Sequence, residues 1–475
     1  MDNRKPTKIV ANRRQFLCDT FSVATSFTIG GAFAALTGRL AHGESQLSFK
    51  RKMVEKDLVE AIDETTGLGL LKLPRGFRYR SFGWTHDEMR GGSPTPPAHD
   101  GMGLVSEKNG VVTLVRNHEV NGTAAAIPIV GSSFDAKGGG GCTSLTFDTK
   151  QGRWLESWSS LSGTVRNCAG GVTPGGNWLS CEETVVQNGD VRDNGSYDLD
   201  QVHGWIFEVP SAGQQRPEPL REMGRFSHEA IAVDRNTGVV YETEDNNNTS
   251  GFYRFIPSDR DRLAAGGRLQ MMKVIGQDDL CGGVKEGAIF DVDWVDIADP
   301  MRAHSPNTSD ESGVFYQGKS GGGTTFSRLE GCWFGNKRVY FDATSGGAAQ
   351  VGQIWAFDPV EQKLQMIFES PGAEVLNMPD NLCVSPRGGI LICEDSDYGK
   401  YAKQRIHGMD QEGHLSLFAV NNIQLTGQKN GFQGDFRNKE WCGASFSPDG
   451  EWLFVNIQVP GITFAITGPW EDTLF

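Results

Sequence analysis

His228 to Asp245 reads HEAIAVDRNTGVVYETED, and this stretch predicts the fold of the chain. Two apolar runs flank the segment DRNTG, which holds the Asp, Asn and Gly residues that tight turns favour. In an antiparallel hairpin, the start of the first strand lies beside the end of the second strand. We therefore expect Glu229 and Glu244 to lie close together at one end of this hairpin.

The same pattern of a polar group, a strand, a turn, a second strand and another polar group occurs five more times. The copies begin at His99-Asp100, Asn167-Cys168, Arg328-Leu329-Glu330, Asp380-Asn381 and Glu440. Hairpin pairing is expected to bring together Asp100 with Asn117, His118 and Glu119, Cys168 with Glu182 and Glu183, and Asp380 with Glu394 and Asp395. If the copies are arranged radially, their oxygen ligands and one thiol crowd a single rim. Such a concentration of negative charge is tolerable only around cations.

Further strand candidates lie between the hairpins. They cover residues 142–148, 204–209, 251–256, 353–358 and 414–420 and would help to complete four-stranded blades. We predict an all-β fold, a six-bladed β-propeller with a metal site at one end of its central channel, formed by residues 46–475. A pair of β-sandwiches is the alternative, but it does not explain why every hairpin carries its polar groups at the same end.

The N-terminus predicts export. Residues 1–17 are basic and polar and include Arg13-Arg14, residues 21–36 are mostly apolar, and a segment with small residues follows at 40–43. This is the pattern of a twin-arginine signal peptide, which we place at residues 1–45. It predicts recognition by the twin-arginine export machinery, a periplasmic or secreted location and no permanent membrane anchor. A single anchoring helix is the alternative, but the apolar run is marginal for a bilayer and lacks a stop-transfer flank.

The overall charge argues against nucleic-acid binding. The chain carries a net charge of -14 with a pI of about 5.2, and no basic stripe offsets this field. We therefore expect no nucleic-acid partner, and we expect a monomer.

The cysteines indicate one special position. Eight remain after the predicted signal peptide, and none belongs to a CxxC pair, so a zinc ribbon or a thioredoxin motif is not expected. Cys332, Cys383 and Cys393 fall in apolar strand patterns and are expected to be buried small hydrophobic residues. Cys168 differs because it stands at the head of a repeat. A thiolate among oxygen ligands indicates a softer or trivalent transition metal such as iron.

A phosphate-loop motif is rejected. Gly313 to Ser320, GVFYQGKS, matches the expression G-x4-G-K-S. Its interior holds Val, Phe, Tyr and Gln, and the glycine-rich segment SGGGTTFS follows where a helix should begin. We therefore expect no helix N-terminus that could hold a phosphate here.

Arg328 is the candidate anion-binding residue. It stands two positions before Glu330, and residues of the same parity on a strand share a face. An arginine beside bound cations can clamp a phosphate or a carboxylate through two parallel hydrogen bonds. An ion pair with Glu330 or another acid is the alternative.

Several short motifs together resemble the PhoX-type alkaline phosphatases. They are NCAGG from Asn167, SCEE from Ser180, SHEA from Ser227, RLEG from Arg328, PDN from Pro379, FSPDG from Phe446 and NIQVPG from Asn456. With the twin-arginine leader, the resemblance covers essentially the whole chain. It implies a six-bladed propeller whose end holds a mixed centre of iron (Fe³⁺) and calcium. It also implies that Cys168 is the iron ligand, that Glu229, Glu330 and Glu440 are carboxylates of the centre and that Arg328 holds the substrate phosphate.

The predicted function is that of a secreted, metal-dependent phosphohydrolase. It would release inorganic phosphate from phosphomonoesters of small metabolites at a polynuclear metal centre bound by carboxylates and a thiolate. Strand alternation sends only one of Glu182 and Glu183 inward, and we select Glu182. The predicted metal ligands are Cys168, Glu182, Glu229, Glu330, Glu440, Asp380 and Glu119. Arg328 and Cys168 are the predicted catalytic residues, and Arg328 and Asn381 are the predicted substrate contacts.

Two alternative functions remain open at this point. One is a calcium-dependent lactonase or phosphotriesterase-like hydrolase, because that chemistry also suits a propeller with an acidic channel. The other is a noncatalytic exported propeller that binds sugars or another protein. Exposed tryptophans would serve the second role, but the strand patterns predict a core position for Trp205, Trp333, Trp355 and Trp452.

Overall fold

The computed structural model describes residues 57–122, 124–129, 131–192, 195–211, 216–303, 312–396, 403–410, 413–473 and 475. The predicted signal peptide, residues 1–45, lies outside these ranges. No helix within them combines the length and the apolar character that a bilayer crossing requires.

Almost all regular structure in the described residues is β-strand. The strands are β1 (Val59–Ala61), β2 (Leu71–Leu73), β3 (Arg78–Phe82), β4 (His99–Lys108), β5 (Val111–His118), β6 (Gly140–Asp148), β7 (Arg153–Thr164), β8 (Asn167–Val172), β9 (Trp178–Glu182), β10 (Val191–Arg192), β11 (Gly195–Ser196), β12 (Ile206–Val209), β13 (His228–Val233), β14 (Val240–Glu244), β15 (Phe252–Pro257), β16 (Gly267–Val274), β17 (Ile289–Asp296), β18 (Leu329–Gly335), β19 (Arg338–Ala343), β20 (Gln353–Asp358), β21 (Lys363–Glu369), β22 (Pro379–Val384), β23 (Ile390–Glu394), β24 (Arg405–Met409), β25 (Leu415–Asn421), β26 (Gln424–Thr426), β27 (Gln433–Asp435), β28 (Trp441–Phe446), β29 (Leu453–Ile457) and β30 (Ile462–Thr467). Helix α1 covers Val314–Ser320, and short 3₁₀ turns lie at Arg221–Met223, Leu263–Ala265 and Trp470–Asp472.

The first strands of six hairpins surround a common centre. These inner strands are β4, β8, β13, β18, β22 and β28, and each contacts the next in chain order, with β28 returning to β4. Each inner strand pairs antiparallel with the strand that follows it. The fold is therefore all-β and propeller-like, as the repeated hairpins predict.

The prediction of six separate four-stranded blades is wrong. Strand β17 pairs with both β16 and β21, so that two predicted blades merge into one nine-stranded sheet. The sheet of β8, β9 and β12 has only three strands, while β1 and β2 extend the sheet of β22 to β25 to six strands. Within the described residues, only the sheets β4 to β7 and β28, β29, β30, β3 contain four strands. Pairing of β17 with β21 is a contact between distant parts of the chain, which local strand patterns do not specify.

Aromatic side chains fill the space beneath the inner strands. Phe252 of β15 stacks on Phe341 of β19 with ring centroids 4.4 Å apart, which joins the two halves of the nine-stranded sheet. Trp205, Trp355 and Trp452 are buried as predicted, and Trp333 is partly buried. Large buried rings supply much of the apolar area that stabilises such a core. The inner strands therefore rest on a packed aromatic core.

The predicted cysteine environments agree with the structure. Cys332, Cys383 and Cys393 are buried in the core, and Cys168 is only partly buried. All eight cysteines of the described residues are free thiols.

The rejected phosphate-loop motif forms a helix of its own. As expected, residues 321–327 after the motif form no helix, but residues 314–320 of the motif itself form α1, which was not predicted. Val314 and Phe315 are buried in the core, so their side chains explain why this segment packs as a helix. The helix lies within the motif instead of following it, so no phosphate loop forms.

Candidate active site

Every inner hairpin contains an irregularity near the start of its inner strand, directly after the first residue pair in five hairpins and one pair later in the β28 hairpin. Near the start of each inner strand, three residues span the interval that two residues span on the partner strand. Such a β-bulge changes the direction of the side chain that it displaces. In five hairpins the displaced position is polar, and we call these side chains the bulge residues: Asp100, Cys168, Glu229, Glu330 and Asp380.

A second repeated feature fixes the residues on either side of each hairpin. The residue one position before the first residue pair of the hairpin, here called the entry residue, accepts a hydrogen bond through its carbonyl oxygen. The donor is the backbone N–H of the residue that follows the second strand, here called the exit residue. The entry and exit pairs are Ala98 with Glu119, Arg166 with Glu183, Ser227 with Asp245, Arg328 with Thr344, Met378 with Asp395 and Glu440 with Gln458, at 2.8 to 3.3 Å.

Together these positions create a dense group of acids and one thiol. We call it the rim cluster: Asp100, Glu119, Cys168, Glu183, Glu229, Asp245, Glu330, Asp380, Asp395 and Glu440. The thiol Sγ of Cys168 donates to Oε1 of Glu229 at 3.1 Å and lies 3.7 Å from Oδ2 of Asp100. Neighbouring inner strands thus place their polar groups within direct contact.

The rim cluster is strongly repulsive when it is ionised. The pKa values of Asp100, Glu183, Glu229, Glu330, Asp380 and Glu440 are raised, first by burial and then by the neighbouring carboxylates. Burial also raises the pKa of the Cys168 thiol, and Asp100 and Glu229 raise it further. Removing a charged group from water and placing like charges beside it both disfavour ionisation.

Two arginines offset part of this negative charge. Arg328 places Nε 3.2 Å from Asp245 and also contacts Glu330. Arg166 places Nε 2.8 Å from Glu119 and Nη2 3.1 Å from Glu183. The charge of Glu330 raises the pKa of Arg328, although burial opposes this effect.

The donor set fits bound cations. In three groups, the candidate ligand atoms lie within 4.8 Å of one another: Asp100, Glu440 and Cys442, then Cys168, Glu183 and Glu229, then Asp380, Asp395 and Glu440. Carboxylate oxygens suit hard cations, and a thiolate suits softer transition metals. The two arginines contact only Glu119, Glu183, Asp245 and Glu330 of the ten rim residues, so added cations would relieve much of the remaining repulsion.

The family model of the alkaline phosphatase PhoX matches residues 56–157 and 139–461 of this chain. The chain belongs to the PhoX alkaline phosphatase family. It is therefore a phosphatase. PhoX of Pseudomonas fluorescens, solved in complex with vanadate, a transition state analogue, has the same fold, with a TM-score of 0.61 and 17% identity over 87% of this chain and 97% of that one. A luciferin-regenerating enzyme is more distant, with a TM-score of 0.40 and 10% identity over 78% of this chain and 92% of that one. No curated protein matches the chain.

Most of the predicted ligands lie together in this PhoX family member. The structure brings Cys168, Glu229, Glu330, Asp380 and Glu440 into contact or into electrostatic interaction with one another. Glu119 joins them through Arg166 and through a hydrogen bond from Gln458. Their role as metal ligands stays a prediction.

Glu182 does not lie in the rim cluster, and the selection of Glu182 over Glu183 is corrected. The carboxylate of Glu182 lies 2.6 Å from Nδ1 of His203. It also accepts hydrogen bonds from the backbone N–H groups of Val165, Gly204 and Trp205. It is fully buried and fully occupied by these partners. Glu183, one residue later, is the acid that approaches Cys168 and Glu229.

The expected contact between Glu229 and Glu244 is also corrected. The bulge places His228, not Glu229, opposite Glu244. Glu244 instead accepts hydrogen bonds from Tyr253 at 2.6 Å and from the backbone of Gly251 at 3.0 Å. A single inserted residue thus separates the two carboxylates.

The two predicted substrate contacts have different surroundings in the PhoX chain. Arg328 forms the ion pairs with Asp245 and Glu330 that the alternative interpretation anticipates. Asn381 accepts a hydrogen bond from the backbone N–H of Ala444 at 3.0 Å, which connects β22 to β28. A substrate contact by either residue stays a prediction, and Asn381 has a structural role.

Several rim residues are not among the metal ligands predicted from the sequence. Asp100, Glu183, Asp245 and Asp395 belong to the rim cluster but were not selected as ligands. A recognisable signal exists, because an acid directly follows the second strand in four of the six hairpins. Arg166 also has a signal, since it precedes Cys168 by two positions, as Arg328 precedes Glu330.

Proposed function

We propose that this phosphatase hydrolyses phosphomonoesters of small metabolites at a polynuclear metal centre held by the rim cluster. The observation that carries the proposal is the approach of Cys168, Glu183 and Glu229, whose ligand atoms lie within 4.8 Å of one another. Cys168 lies in β8, Glu183 directly follows β9 and Glu229 lies in β13. Two different sheets therefore contribute to this group. A buried acid and thiol group of this density is stable only when cations or protons neutralise it.

The chemistry of the donors favours iron and calcium. The group of Cys168, Glu183 and Glu229 includes a thiol, which suits iron. The group of Asp380, Asp395 and Glu440 offers only oxygen atoms, which suits calcium. Cations bound there would neutralise the phosphoryl oxygens and stabilise the leaving alkoxide.

The protein's own contribution is to position the substrate. Arg328 presents a planar guanidinium at the rim, with 28% of its side chain exposed. Such a group binds two phosphate oxygens at fixed geometry and thereby orients the ester for in-line displacement. Asp245 and Glu330 hold the guanidinium in place through ion pairs. The vanadate complex of the Pseudomonas fluorescens relative supports a phosphoryl-transfer site in this fold.

The alternatives receive no support of their own. Membership in a phosphatase family argues against a noncatalytic binding propeller. It also favours phosphomonoesters over lactones and phosphotriesters.

Chelation tests the proposal directly. Purified protein should hydrolyse an aryl phosphate, lose activity on exhaustive treatment with EDTA and regain it when iron and calcium are restored. Elemental analysis of the active protein should find both metals. Cys168→Ala should lose the iron and the activity together, and Cys383→Ala, which removes a buried core thiol, is the matched control.

Activity that survives exhaustive chelation and is intact in Cys168→Ala would contradict the metal mechanism. Hydrolysis of a phosphotriester or a lactone by a protein that contains calcium without iron would favour the alternative hydrolase.

We also propose export through the twin-arginine pathway to the periplasm or beyond, as a monomer without a membrane anchor. The basis is Arg13-Arg14 and the apolar run that follows. Replacement of Arg13-Arg14 by Lys-Lys should leave the protein in the cytoplasm, as fractionation of cells would show. Unchanged export of this variant would exclude the pathway.

A further inference from the structure

Arg166 and Arg328 occupy equivalent positions in two different hairpins. Both are entry residues, and both precede a bulge residue by two positions. Their backbones share the left-handed conformation, with φ of 54° and 48°. The N–H of Arg166 donates to the carbonyl of Val120, and the N–H of Arg328 donates to the carbonyl of Asn246. Each of these acceptors directly follows the exit residue of the preceding hairpin. The two side chains therefore leave the backbone at equivalent positions of the repeat, with the same backbone conformation and the same backbone hydrogen bonds.

The two guanidinium groups share one equivalent partner and differ in the other, which is an exit residue for Arg166 and a bulge residue for Arg328. Each arginine binds the exit residue of the preceding hairpin, Glu119 for Arg166 and Asp245 for Arg328. Each then binds a carboxylate of its own hairpin, Glu183 for Arg166 and Glu330 for Arg328. In both cases the guanidinium therefore bridges two neighbouring hairpins at the rim.

Arg166 is at least as accessible as Arg328. The exposed fraction of its side chain is 38%, compared with 28% for Arg328. Its contacts in the described residues employ Nε with Glu119, Nη2 with the Glu183 carboxylate and Nη1 with the Glu183 carbonyl. Because each terminal nitrogen of a guanidinium carries two N–H groups, one donor on each remains for a further acceptor.

The position between the two arginines is occupied by a small residue. Ser227 is the entry residue of the hairpin that carries Glu229, and this hairpin lies between those of Arg166 and Arg328. Ser227 is partly buried, and its backbone forms an isolated β-bridge with Glu183, so this entry position beside Glu183 carries a short side chain instead of a third arginine. An anion bound over the group of Cys168, Glu183 and Glu229 would therefore have one arginine on either side.

We propose that Arg166 is a second substrate-contacting arginine, which binds the phosphoryl group from the side opposite to Arg328. This inference rests on the proposed function. Cations on Glu119 and Glu183 would weaken the hold of these carboxylates on the guanidinium and would favour its contact with an anion. The alternative is that Arg166 acts only as a countercharge that positions Glu119 and Glu183.

Two substitutions separate these roles. Arg166→Lys keeps the charge but loses the planar fork, and Arg166→Gln loses both. Arg387→Lys is the control, because Arg387 is 30% exposed, pairs with Glu451 and binds the carbonyl of Gly450 in a turn outside the rim cluster. For each metal-loaded protein we would measure metal content, the dissociation constant of inorganic phosphate by calorimetry, and KM and kcat for an aryl phosphate.

The proposal predicts wild-type metal content in Arg166→Lys together with phosphate binding at least tenfold weaker and a similarly raised KM. Arg166→Gln should weaken phosphate binding further, and Arg387→Lys should match the wild type. Phosphate affinity equal to the wild type in both Arg166 variants overturns the proposal. A loss of metal, with normal phosphate affinity in the fraction that remains loaded, also overturns it and assigns Arg166 a positioning role.

The wild-type protein distinguishes failure of this inference from failure of the proposed function. If the metal-loaded wild type neither binds phosphate nor hydrolyses the aryl phosphate, both fail. If the wild type does both and the Arg166 variants behave like it, only the role of Arg166 is wrong.

Discussion

Three pairs of adjacent acids show how neighbouring carboxylates acquire opposite roles. Glu182, Glu244 and Glu394 end their strands and are here called the strand-end carboxylates, and the exit residues Glu183, Asp245 and Asp395 follow them directly. Each strand-end carboxylate is buried among hydrogen-bond donors from neighbouring strands and loops. Each exit residue lies in the rim cluster, among other acids. Alternation of side chains along a strand is the cause, because one step along the chain moves a side chain to the other face.

The electrostatic consequences differ as strongly as the positions. Burial tends to raise the pKa of Glu394, but Arg405 and His407 outweigh it and hold that pKa below its usual range. Glu183 is buried as well, and its pKa is raised, with only Arg166 opposing burial and the neighbouring acids. Glu394 is thus a satisfied anion of the scaffold. Glu183 needs a proton or a cation, which is the property expected of a ligand.

The largest expected effect comes from removing an exit carboxylate. Glu183→Gln should reduce kcat/KM by about 10³-fold, equivalent to about 4 kcal/mol, because it removes a metal-holding charge near Cys168. The same change removes one repelling charge, so the metal-free protein should be as stable as the wild type or more stable. Steady-state kinetics and urea unfolding of the metal-free protein measure the two quantities. A large loss of stability with near-normal activity would place Glu183 in the scaffold.

Glu182→Gln, one residue earlier, should show the reverse. It leaves His203 without its closest charged partner in a fully buried position. Removing one member of a buried ion pair costs about 3 kcal/mol. We expect that loss in the free energy of unfolding, measured with urea, and a much smaller change in kcat/KM than in Glu183→Gln. Equal losses of activity in the two variants would remove the distinction between strand-end and exit carboxylates.

The hairpins can be predicted from the amino-acid sequence because their patterns are local. Alternating apolar residues and the turn at residues 234–238 predict β13 and β14, and the polar ends of the repeats predict a shared rim. The selection of Glu182 and the pairing of Glu229 with Glu244 failed for one reason. A bulge inserts one residue into each inner strand and changes which residues lie opposite each other, and residue preferences do not reveal where it occurs.

The number and size of the sheets depend on contacts that no local pattern contains. Strand β17 follows a long connection and pairs with β21, more than 60 residues later in the chain. Strand β3, near the start of the described residues, pairs with β30 near the end. Regular hairpins predict repeated blades, whereas these pairings depend on the tertiary fold.

The contribution of His203 to stability should depend on pH. Burial alone would lower its pKa, but the carboxylates of Glu182 and Asp135 outweigh burial and raise the pKa above 6.5. A histidine whose pKa is higher in the folded state contributes its full stabilisation below the unfolded pKa of about 6.5. This stabilisation is lost as the pH rises through the folded pKa.

His203→Gln should therefore reduce stability most at acidic pH, and its difference from the wild type should shrink at alkaline pH. The change in this stability difference between acidic and alkaline pH should be smaller than the roughly 3 kcal/mol expected for Glu182→Gln. Urea unfolding of both proteins at pH 6 and pH 9 measures this change. A difference that grows with pH would show that His203 is neutral in the folded protein.

The smallest expected effect tests the turn that separates the two sets of carboxylates. Four entry residues, Ala98, Arg166, Arg328 and Met378, have φ between 48° and 54°, a conformation that costs a residue with a Cβ atom about 1 kcal/mol. Ala98→Gly relieves this strain, while the greater freedom of glycine in the unfolded chain offsets part of the gain. We expect stability to rise by less than about 1 kcal/mol, with unchanged kcat/KM. Ala288→Gly, at a position outside the left-handed region, should instead lower stability by a similar amount. If both substitutions destabilise equally, the entry conformation carries no strain, and the hydrogen bond to the exit residue alone fixes the direction of the rim side chains.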